Sequence, residues 1–265
     1  MSKLEQLRDF RNFLYVVWKH LNLPDPTPLQ YDISDFMQHG PKRSVIMAFR
    51  GVGKSWICSA YAVHQLLLDP TKNILVVSAS KNRADDFSTF TKRLIGEMEV
   101  LKHLTPKDNQ RGSNVSFDVA LAKASHAPSV KSVGITGQLT GSRADYIISD
   151  DCESLNNSLT QTMRDKLSSS IKEFEAVLSP NGKILFLGTP QSEMSMYNDL
   201  GNRGYTTRIW TARKPLAKDN KKYEGKLAPY ITESSLEEGS PIDPKRFTDL
   251  DLKEREASYG RSGFS

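Results

Sequence analysis

Short apolar runs alternate with segments of helical periodicity along most of the chain. The runs predict β-strands at residues 44–48, 74–78, 115–119, 146–149, 183–187 and 205–210. Apolar residues that recur every three or four positions predict helices at residues 54–68, 83–98, 159–178, 193–200 and 249–259. Several of the strands are nearly continuous in apolar side chains, as strands buried on both faces must be. The pattern therefore predicts an α/β fold with a mostly parallel central sheet flanked by helices.

The two ends of the chain differ from this alternating pattern. Residues 4–21 carry an apolar stripe that predicts an amphipathic helix, and a proline-rich break separates it from a short helix at 29–38. Beyond residue 210 the pattern gives way to a basic stretch and then to a polar, acidic one. We therefore expect an α/β domain over residues 1–210, with an N-terminal helix at 1–22, followed by a linker over residues 211–245.

The composition is that of a globular chain, with 38% hydrophobic and 25% charged residues. The apolar runs are too short to cross a bilayer, so no membrane association is expected. A formal net charge of +5 is compatible with a polyanionic partner but does not require one. Cys58 and Cys152 lack the C-x-x-C spacing of zinc sites and cannot form a disulfide framework, so we expect two reduced cysteines.

The sequence SVIMAFRGVGKSWICS, residues 44–59, nearly matches the phosphate-binding motif G-x-x-x-x-G-K-[ST], with Ala48 in place of the first glycine. A predicted strand precedes it and a predicted helix follows, so that backbone N–H groups can point at phosphates. Lys54 would reach the β- and γ-phosphates, and the Ser55 hydroxyl would bind Mg²⁺. The motif predicts an ATP and Mg²⁺ site whose nucleotide-binding residues are Gln30, Arg50, Gly51, Val52, Gly53, Lys54 and Ser55.

Acidic residues end a second apolar strand, in the sequence ADYIISDD at residues 144–151. Asp150 is placed to complete the Mg²⁺ shell. The next acid would orient the attacking water or accept its proton, and it is usually a glutamate in ATPases of this type. Here Asp151 holds that position and Glu153 lies two residues further on, so both are candidates for the catalytic acid.

Two further features can complete such a site. The strand ILFL runs into Gly188, Thr189 and Pro190, where a polar side chain between the two motif-bearing strands can sense the γ-phosphate and couple hydrolysis to motion. Gln30, upstream of the loop, carries an amide that can bind the adenine edge, or it is a surface residue of its helix. Coupling and adenine recognition are the functions that these residues suggest.

Two arginines are candidates for stabilising charge in the transition state. Arg50 lies inside the loop, and Arg143 lies in the glycine-rich approach to the acidic strand. Either arginine could act in its own subunit or from a neighbouring one, and either could instead form a structural ion pair.

With these motifs assembled, the chain resembles the ATPase domain of the large terminase subunit of tailed, short-tailed-type bacteriophages. The segments that carry the resemblance are LNLPDPTPLQYD, AFRGVGKS, ILVVSASKNRAD, HAPSVKSVGITGQLTGSRADYIISDD, ILFLGTPQSEMSMY and RGYTTRIW. It implies a P-loop NTPase fold of the ASCE, RecA-like type and Mg-dependent ATP hydrolysis. It further implies a motor in the host cytoplasm, transiently at the procapsid portal vertex, that translocates double-stranded DNA. The implied partners are DNA, the portal protein, the small terminase subunit and other copies in a ring, generally a pentamer, while the isolated chain can be a monomer.

The resemblance also implies roles for particular residues. Lys54, Ser55 and Asp150 match the phosphate and Mg²⁺ ligands, and residues 188–190 match the coupling motif. The family's trans-acting arginine comes from the segment before the acidic strand, so Arg143 is the first candidate and Arg50 the second.

Full-length members carry a C-terminal nuclease domain that cuts concatemeric DNA. Residues 246–265 would begin the connection to it, and nuclease activity is not expected of this chain. DNA contacts should be made to phosphates, and two basic groups are candidates: residues 213–226, and the set Lys81, Arg83, Lys92 and Arg93.

Two alternative functions remain at this point. A helicase-like ATPase is disfavoured because nothing after residue 211 resembles a second RecA-like domain. An ATP-binding assembly module with little hydrolysis is favoured by Ala48 in the loop and by Asp151 in place of glutamate.

Overall fold

The computed structural model describes residues 3–139, 141–189 and 195–259. Its centre is a seven-stranded sheet with the strand order β3-β4-β2-β5-β6-β1-β7. The strands are β1 Arg43–Ala48, β2 Ile74–Ser78, β3 Ser116–Phe117, β4 Val130–Gly134, β5 Ala144–Asp150, β6 Leu178–Gly188 and β7 Thr206–Trp210. Only the short edge pair β3–β4 is antiparallel among the pairs described. The predicted mostly parallel α/β fold is confirmed.

The helices cover both faces of this sheet. They are α1 Lys3–Gln6, α2 Phe10–His20, α3 Pro28–His39, α4 Lys54–Leu68, α5 Lys81–Glu97, α6 Leu155–Ser158, α7 Gln161–Val177, α8 Met196–Asp199, α9 Pro229–Thr232 and α10 Asp249–Tyr259. Successive strand residues point to opposite faces, so Ile46 and Ile148 join the core under α2 to α5, whereas Val45 and Ile147 join the core under α7 and α8. Among the described residues no helix is long and apolar enough to cross a bilayer.

The N-terminal extension is two helices rather than the single helix predicted at residues 4–21. The helical stripe breaks at Asp9, whose side chain accepts the Arg11 N–H and so caps the start of α2. Phe10 then packs edge-on against Tyr61 of α4, with ring centroids 5.2 Å apart. The extension is therefore anchored on the helix that follows the phosphate loop.

The strand register brings the carboxyl ends of β1, β5 and β6 to the same edge of the sheet. Met47 of β1 pairs with Gly188 of β6, and Asp150 of β5 pairs with Leu187 of β6. β6 thus lies between the strand that leads into the phosphate loop and the strand that ends in the acidic pair. Ligands of open α/β sheets bind at the carboxyl ends of the strands, so this edge is where a nucleotide site is expected.

Several boundaries differ from the prediction. β4 was missed because only alternate residues, Val130, Ser132 and Gly134, face inward and one of them is polar. The strand predicted at 115–119 shrinks to the two residues of β3. The described part of the helix predicted at 193–200 is α8, continued by a 3-10 turn over Leu200–Arg203. The strand predicted from residue 183 begins at residue 178, directly after α7.

The segment at 211–245, expected to be a linker, lies against the sheet. Leu227 forms a β-bridge with Ile209, next to β7's end, and the apolar side chains of Ala228, Ile231 and Ile242 are buried. This packing was not predicted because the apolar residues of the segment are spaced irregularly among charged ones and form no helical or strand pattern. The division of the chain into domains stays a prediction. Both cysteines are buried and unbonded to one another.

Candidate nucleotide site

The phosphate loop connects β1 to α4. Gly51 and Gly53 both have φ of +92°, a left-handed conformation that L side chains rarely adopt. The turn therefore depends on these two glycines, whereas Ala48 is the last residue of β1 and keeps its extended conformation. The missing first glycine of the motif is accounted for by this position in the strand.

Lys54 is folded back into the loop that it follows. Its Nζ donates to the Ala48 carbonyl at 2.6 Å and lies 3.3 Å from the hydroxyl of Thr189. Burial lowers the pKa of Lys54, while the nearby carboxylates of Asp151 and Asp150 oppose that shift. The Lys54 ammonium is thus held by the carbonyl of the last β1 residue, close to the two acidic side chains.

Gln30 supports the loop from α3. Its Nε2 donates to the Val52 carbonyl at 2.8 Å, and its Oε1 accepts the Thr27 N–H within a capping box. Gln30 is buried and borders the same cavity as the loop. Both ends of the amide are thus engaged with protein, so the structure supports a role in holding the loop, and adenine recognition by Gln30 stays a prediction.

Asp150 and Ser55 form the candidate Mg²⁺ site. Burial, assisted by the nearby Asp151, raises the pKa of Asp150 to about 6, while the neighbouring Ser55 hydroxyl and the positive charge of Lys54 oppose the shift. Asp150 Oδ1 is buried and has no hydrogen-bond partner among the described residues. A desolvated carboxylate oxygen and a neighbouring hydroxyl are the kind of oxygen ligands that Mg²⁺ prefers, so Asp150 and Ser55 fit the residues that would hold that ion.

Asp151 is held in a strained backbone conformation at the mouth of the cavity. Its φ is +47°, unusual for a residue other than glycine, and its N–H donates to the Leu187 carbonyl at 2.8 Å. This single turn lifts the side chain off the strand and into the wall of the cavity. Strain of this kind is concentrated at functional sites.

Glu153 has a different environment. Its carboxylate accepts the backbone N–H of Met196 at 2.7 Å and the hydroxyl of Ser195 at 3.1 Å, so it caps the start of α8. The side chain is 4% exposed, although it still touches the cavity wall. Of the two candidate acids, Glu153 caps a helix. Asp151 lines the cavity and makes no such capping contact among the described residues.

Two of the three predicted coupling residues are described, and Pro190 lies outside the described residues. A Cβ added at Gly188 would lie 2.1 Å from the ring of Tyr197, so only glycine fits there. The Thr189 hydroxyl donates to the Ala48 carbonyl at 3.3 Å and contacts Lys54. Thr189 thus touches the same lysine that is placed to bind phosphate.

The two candidate arginines lie at different distances from the cavity. Arg50 lines the cavity, and so does Arg83, which the sequence suggested as a DNA contact. Arg143 directly precedes β5, at the opposite end of the strand from Asp150. Seven residues of extended chain span about 23 Å, so Arg143 cannot reach the site of its own subunit.

The cavity has a volume of about 830 Å³, within the range of nucleotide and cofactor pockets. Its walls include side chains that were not among the predicted residues of the nucleotide site: Trp18, Leu23, Trp56, Arg83 and Arg246. Trp56 follows the loop directly, so the motif could have suggested it. Arg246 lies 195 residues from Gly51 in sequence, and no local signal connects the two.

The loop, the buried acid beside Ser55 and the central strand between them define a P-loop nucleotide-binding fold. A family model described as the N-terminal part of the terminase large subunit, T4likevirus-type, matches residues 45–201. The chain is 49% identical over 267 aligned positions to the large terminase subunit of Enterobacteria phage T3. It belongs to the terminase large-subunit family, which confirms the resemblance seen in the sequence.

The alignment with the T3 protein covers 97% of this chain and 46% of the relative, so the chain spans about half of that relative's length. Among solved structures, the ATPase domain of the Thermus phage P74-26 large terminase matches 92% of this chain and 89% of that domain, with 16% identity and a TM-score of 0.43. A structure described as the Phi-28 gp11 DNA packaging motor matches with 14% identity and a TM-score of 0.39, over 87% of this chain and 67% of that one. At these scores the structural likenesses carry no argument, and the family assignment rests on sequence.

Asp150→Asn is expected to raise the stability of the nucleotide-free protein above pH 6. Because the pKa of Asp150 is raised in the folded state, the stability that its protonated form contributes is present below pH 4 and is lost as the pH rises through about 6. Because asparagine does not ionise, the variant avoids a loss of about 1–3 kcal/mol in the free energy of unfolding. Thermal melts at pH 7.5 and pH 5 measure this, with exposed Asp86→Asn as the charge-matched control. A gain for Asp150→Asn that does not shrink at pH 5 would contradict the expectation.

Proposed function

We propose that this chain is the ATP-hydrolysing motor domain of a viral terminase large subunit, which translocates double-stranded DNA into a procapsid. The observation that carries the proposal is a buried Asp150 oxygen beside Ser55, which has no hydrogen-bond partner in the described part of the chain. It lies near a loop turned by two glycines, whose lysine is held at the ends of the strands. The family assignment supports the choice of a packaging motor over other P-loop enzymes.

The residues divide the chemical work in the following way. Loop N–H groups and Lys54 bind the phosphates of ATP. Ser55 and Asp150 would hold Mg²⁺, which would neutralise phosphate charge when bound. Asp151 orients the attacking water and takes its proton. Arg50 and Arg83 supply positive charge from within the subunit, and Thr189 links the state of Lys54 to β6.

The proposed partners follow from the motor function. Subunits form a ring, a pentamer as is general in the family, in which Arg143 of one subunit faces the cavity of the next. Duplex DNA is contacted through phosphates, and the portal protein and small terminase subunit are further partners of the full-length protein in the infected host. With Arg83 at the nucleotide cavity, the basic stretch 213–226 is the stronger candidate for DNA contact.

The test measures Mg-dependent ATP turnover of this chain with and without linear duplex DNA, as a dilute protein and when fused to a ring-forming scaffold. We expect turnover that rises on assembly and is lost in Lys54→Ala. The matched control is Lys72→Ala, at a partly exposed lysine after α4 that does not line the cavity. ATP binding without turnover in the assembled form would reject the motor.

A second candidate, an ATP-binding assembly module, is favoured by one observation. Asp151 is a methylene shorter than the usual glutamate, and Glu153 is engaged with α8. The same turnover measurement decides between the two candidates, because a module binds ATP and does not hydrolyse it. The helicase-like ATPase receives no support from the described residues.

A further inference from the structure

The segment that leads into α10 returns to the phosphate loop. Arg246 Nε donates to the Gly51 carbonyl at 2.9 Å. The next residue, Phe247, is buried and packs edge-on against Phe49, with ring centroids 5.5 Å apart. An apolar anchor therefore places the Arg246 guanidinium beside the loop.

The contact is tight on the loop side as well. A Cβ added at Gly51 would lie 3.0 Å from the Phe247 ring and 3.2 Å from the guanidinium of Arg255. Arg255 itself lies over the Phe247 ring at 4.8 Å. Arg213 pairs with Asp249 and with Glu256, which fixes α10 to the end of β7. The covering of Gly51 is thus built from several packed contacts.

Holding a carbonyl also orients the next N–H. In a trans peptide the C=O of one residue and the N–H of the next point in opposite directions, and no cis peptide occurs among the described residues. Arg246 holds the Gly51 carbonyl and Gln30 holds the Val52 carbonyl. The N–H groups of Val52 and Gly53 are thereby turned away from these donors.

The loop is consequently braced from two sides before any ligand binds. Lys54 holds the Ala48 carbonyl, but it must leave when it moves onto a phosphate. Arg246 and Gln30 do not need to move, because their hydrogen bonds lie on carbonyls and not on the N–H groups that phosphates use. Pre-set N–H groups bind an anion without the cost of ordering the loop at that moment.

We propose that Arg246 is a positioning residue of the phosphate loop, which fixes the Gly51–Val52 peptide so that its N–H is available to the phosphates of a nucleoside triphosphate. The inference rests on the proposed function for the identity of the ligand. It also gives the residues after 245 a part in the nucleotide site, where the sequence suggested only a connection to a further domain.

The first test does not require any nucleotide. Amide hydrogen exchange of the loop peptides is compared among the wild type, Arg246→Ala and Lys245→Ala, a neighbouring exposed lysine outside the cavity. We expect faster exchange at residues 50–53 in Arg246→Ala alone, with an unchanged melting temperature, because only the local opening changes. Unchanged exchange at these residues in Arg246→Ala would contradict the proposal that Arg246 holds the loop in place.

The second test measures dissociation constants of Mg-ATP and Mg-ADP for the same three proteins, through the fluorescence of Trp18 and Trp56 in the cavity wall. Arg246→Ala should weaken both nucleotides about tenfold, the worth of a hydrogen bond from a charged donor. Both should weaken because loop N–H groups cradle the α- and β-phosphates that ATP and ADP share.

Each other outcome has a definite meaning. A loss for ATP alone would place the guanidinium on the γ-phosphate and overturn the positioning role, and an equal loss in Lys245→Ala would assign the effect to net charge. Faster loop exchange with unchanged affinities would also overturn it. Failure of the wild type to bind either nucleotide would reject the proposed function. The exchange experiment alone would then decide whether Arg246 holds the loop in place.

Discussion

Asp151→Asn is expected to lower ATP turnover at least about 100-fold in the assembled protein, the usual worth of a general base. Asparagine keeps the size of the side chain and tolerates the left-handed backbone found at residue 151. It cannot accept a proton from the attacking water. Mg-ATP affinity should stay within about threefold of the wild type, because Ser55, Asp150 and the loop hold the nucleotide. Steady-state turnover and equilibrium binding on the same protein preparation measure the two quantities.

Glu153→Gln is the matched comparison for this variant. The glutamine Oε1 can still accept the Met196 N–H, so α8 stays capped while the charge is removed. If Asp151 is the base, Glu153→Gln loses less than about tenfold in turnover, the worth of one weakened charge-assisted hydrogen bond. The reverse ranking of the two variants would transfer the catalytic role to Glu153.

Much of the fold was predictable because its strands are apolar runs and its main helices are periodic. The bounds of α4 and α10 match the prediction residue for residue, and β2 does as well. The position of β6 between the two motif-bearing strands followed from the polar Thr189 that comes directly after it. Strand β4 was not predicted because three of its five residues are polar or only partly buried.

The site was predictable only where the motif is local. Lys54, Ser55 and Asp150 are identified by the residues next to them. The environment of Glu153 is set by α8, because its carboxylate accepts the backbone N–H of Met196, 43 residues away in sequence. Arg83 reaches the cavity because Ser78 of β2 pairs with Asp150 of β5, and that register is a property of the folded sheet. Contacts between residues so far apart in sequence cannot be inferred from the composition of the chain or from the spacing of its motifs.

Arg143→Ala is expected to abolish most turnover in the assembled ring while leaving Mg-ATP affinity unchanged, because the side chain is about 23 Å along β5 from its own Asp150. An arginine that acts from a neighbouring subunit is worth 10³–10⁵ in rate, so a loss of at least about 1,000-fold is predicted. The dilute monomer, which has no neighbour, should show nearly the same low turnover for the wild type and the variant.

Mixing two inactive variants tests whether that arginine acts across an interface. Lys54→Ala subunits have no working cavity but keep Arg143, whereas Arg143→Ala subunits have an intact cavity. In a head-to-tail ring assembled at random from equal parts, about a quarter of the interfaces join a donor arginine to an intact cavity, and about that share of wild-type turnover should return. The control pairs Lys54→Ala with Arg50→Ala, which lines its own cavity and should not be rescued. Absence of recovery in the first mixture, with ring formation verified, would show that Arg143 does not act in trans.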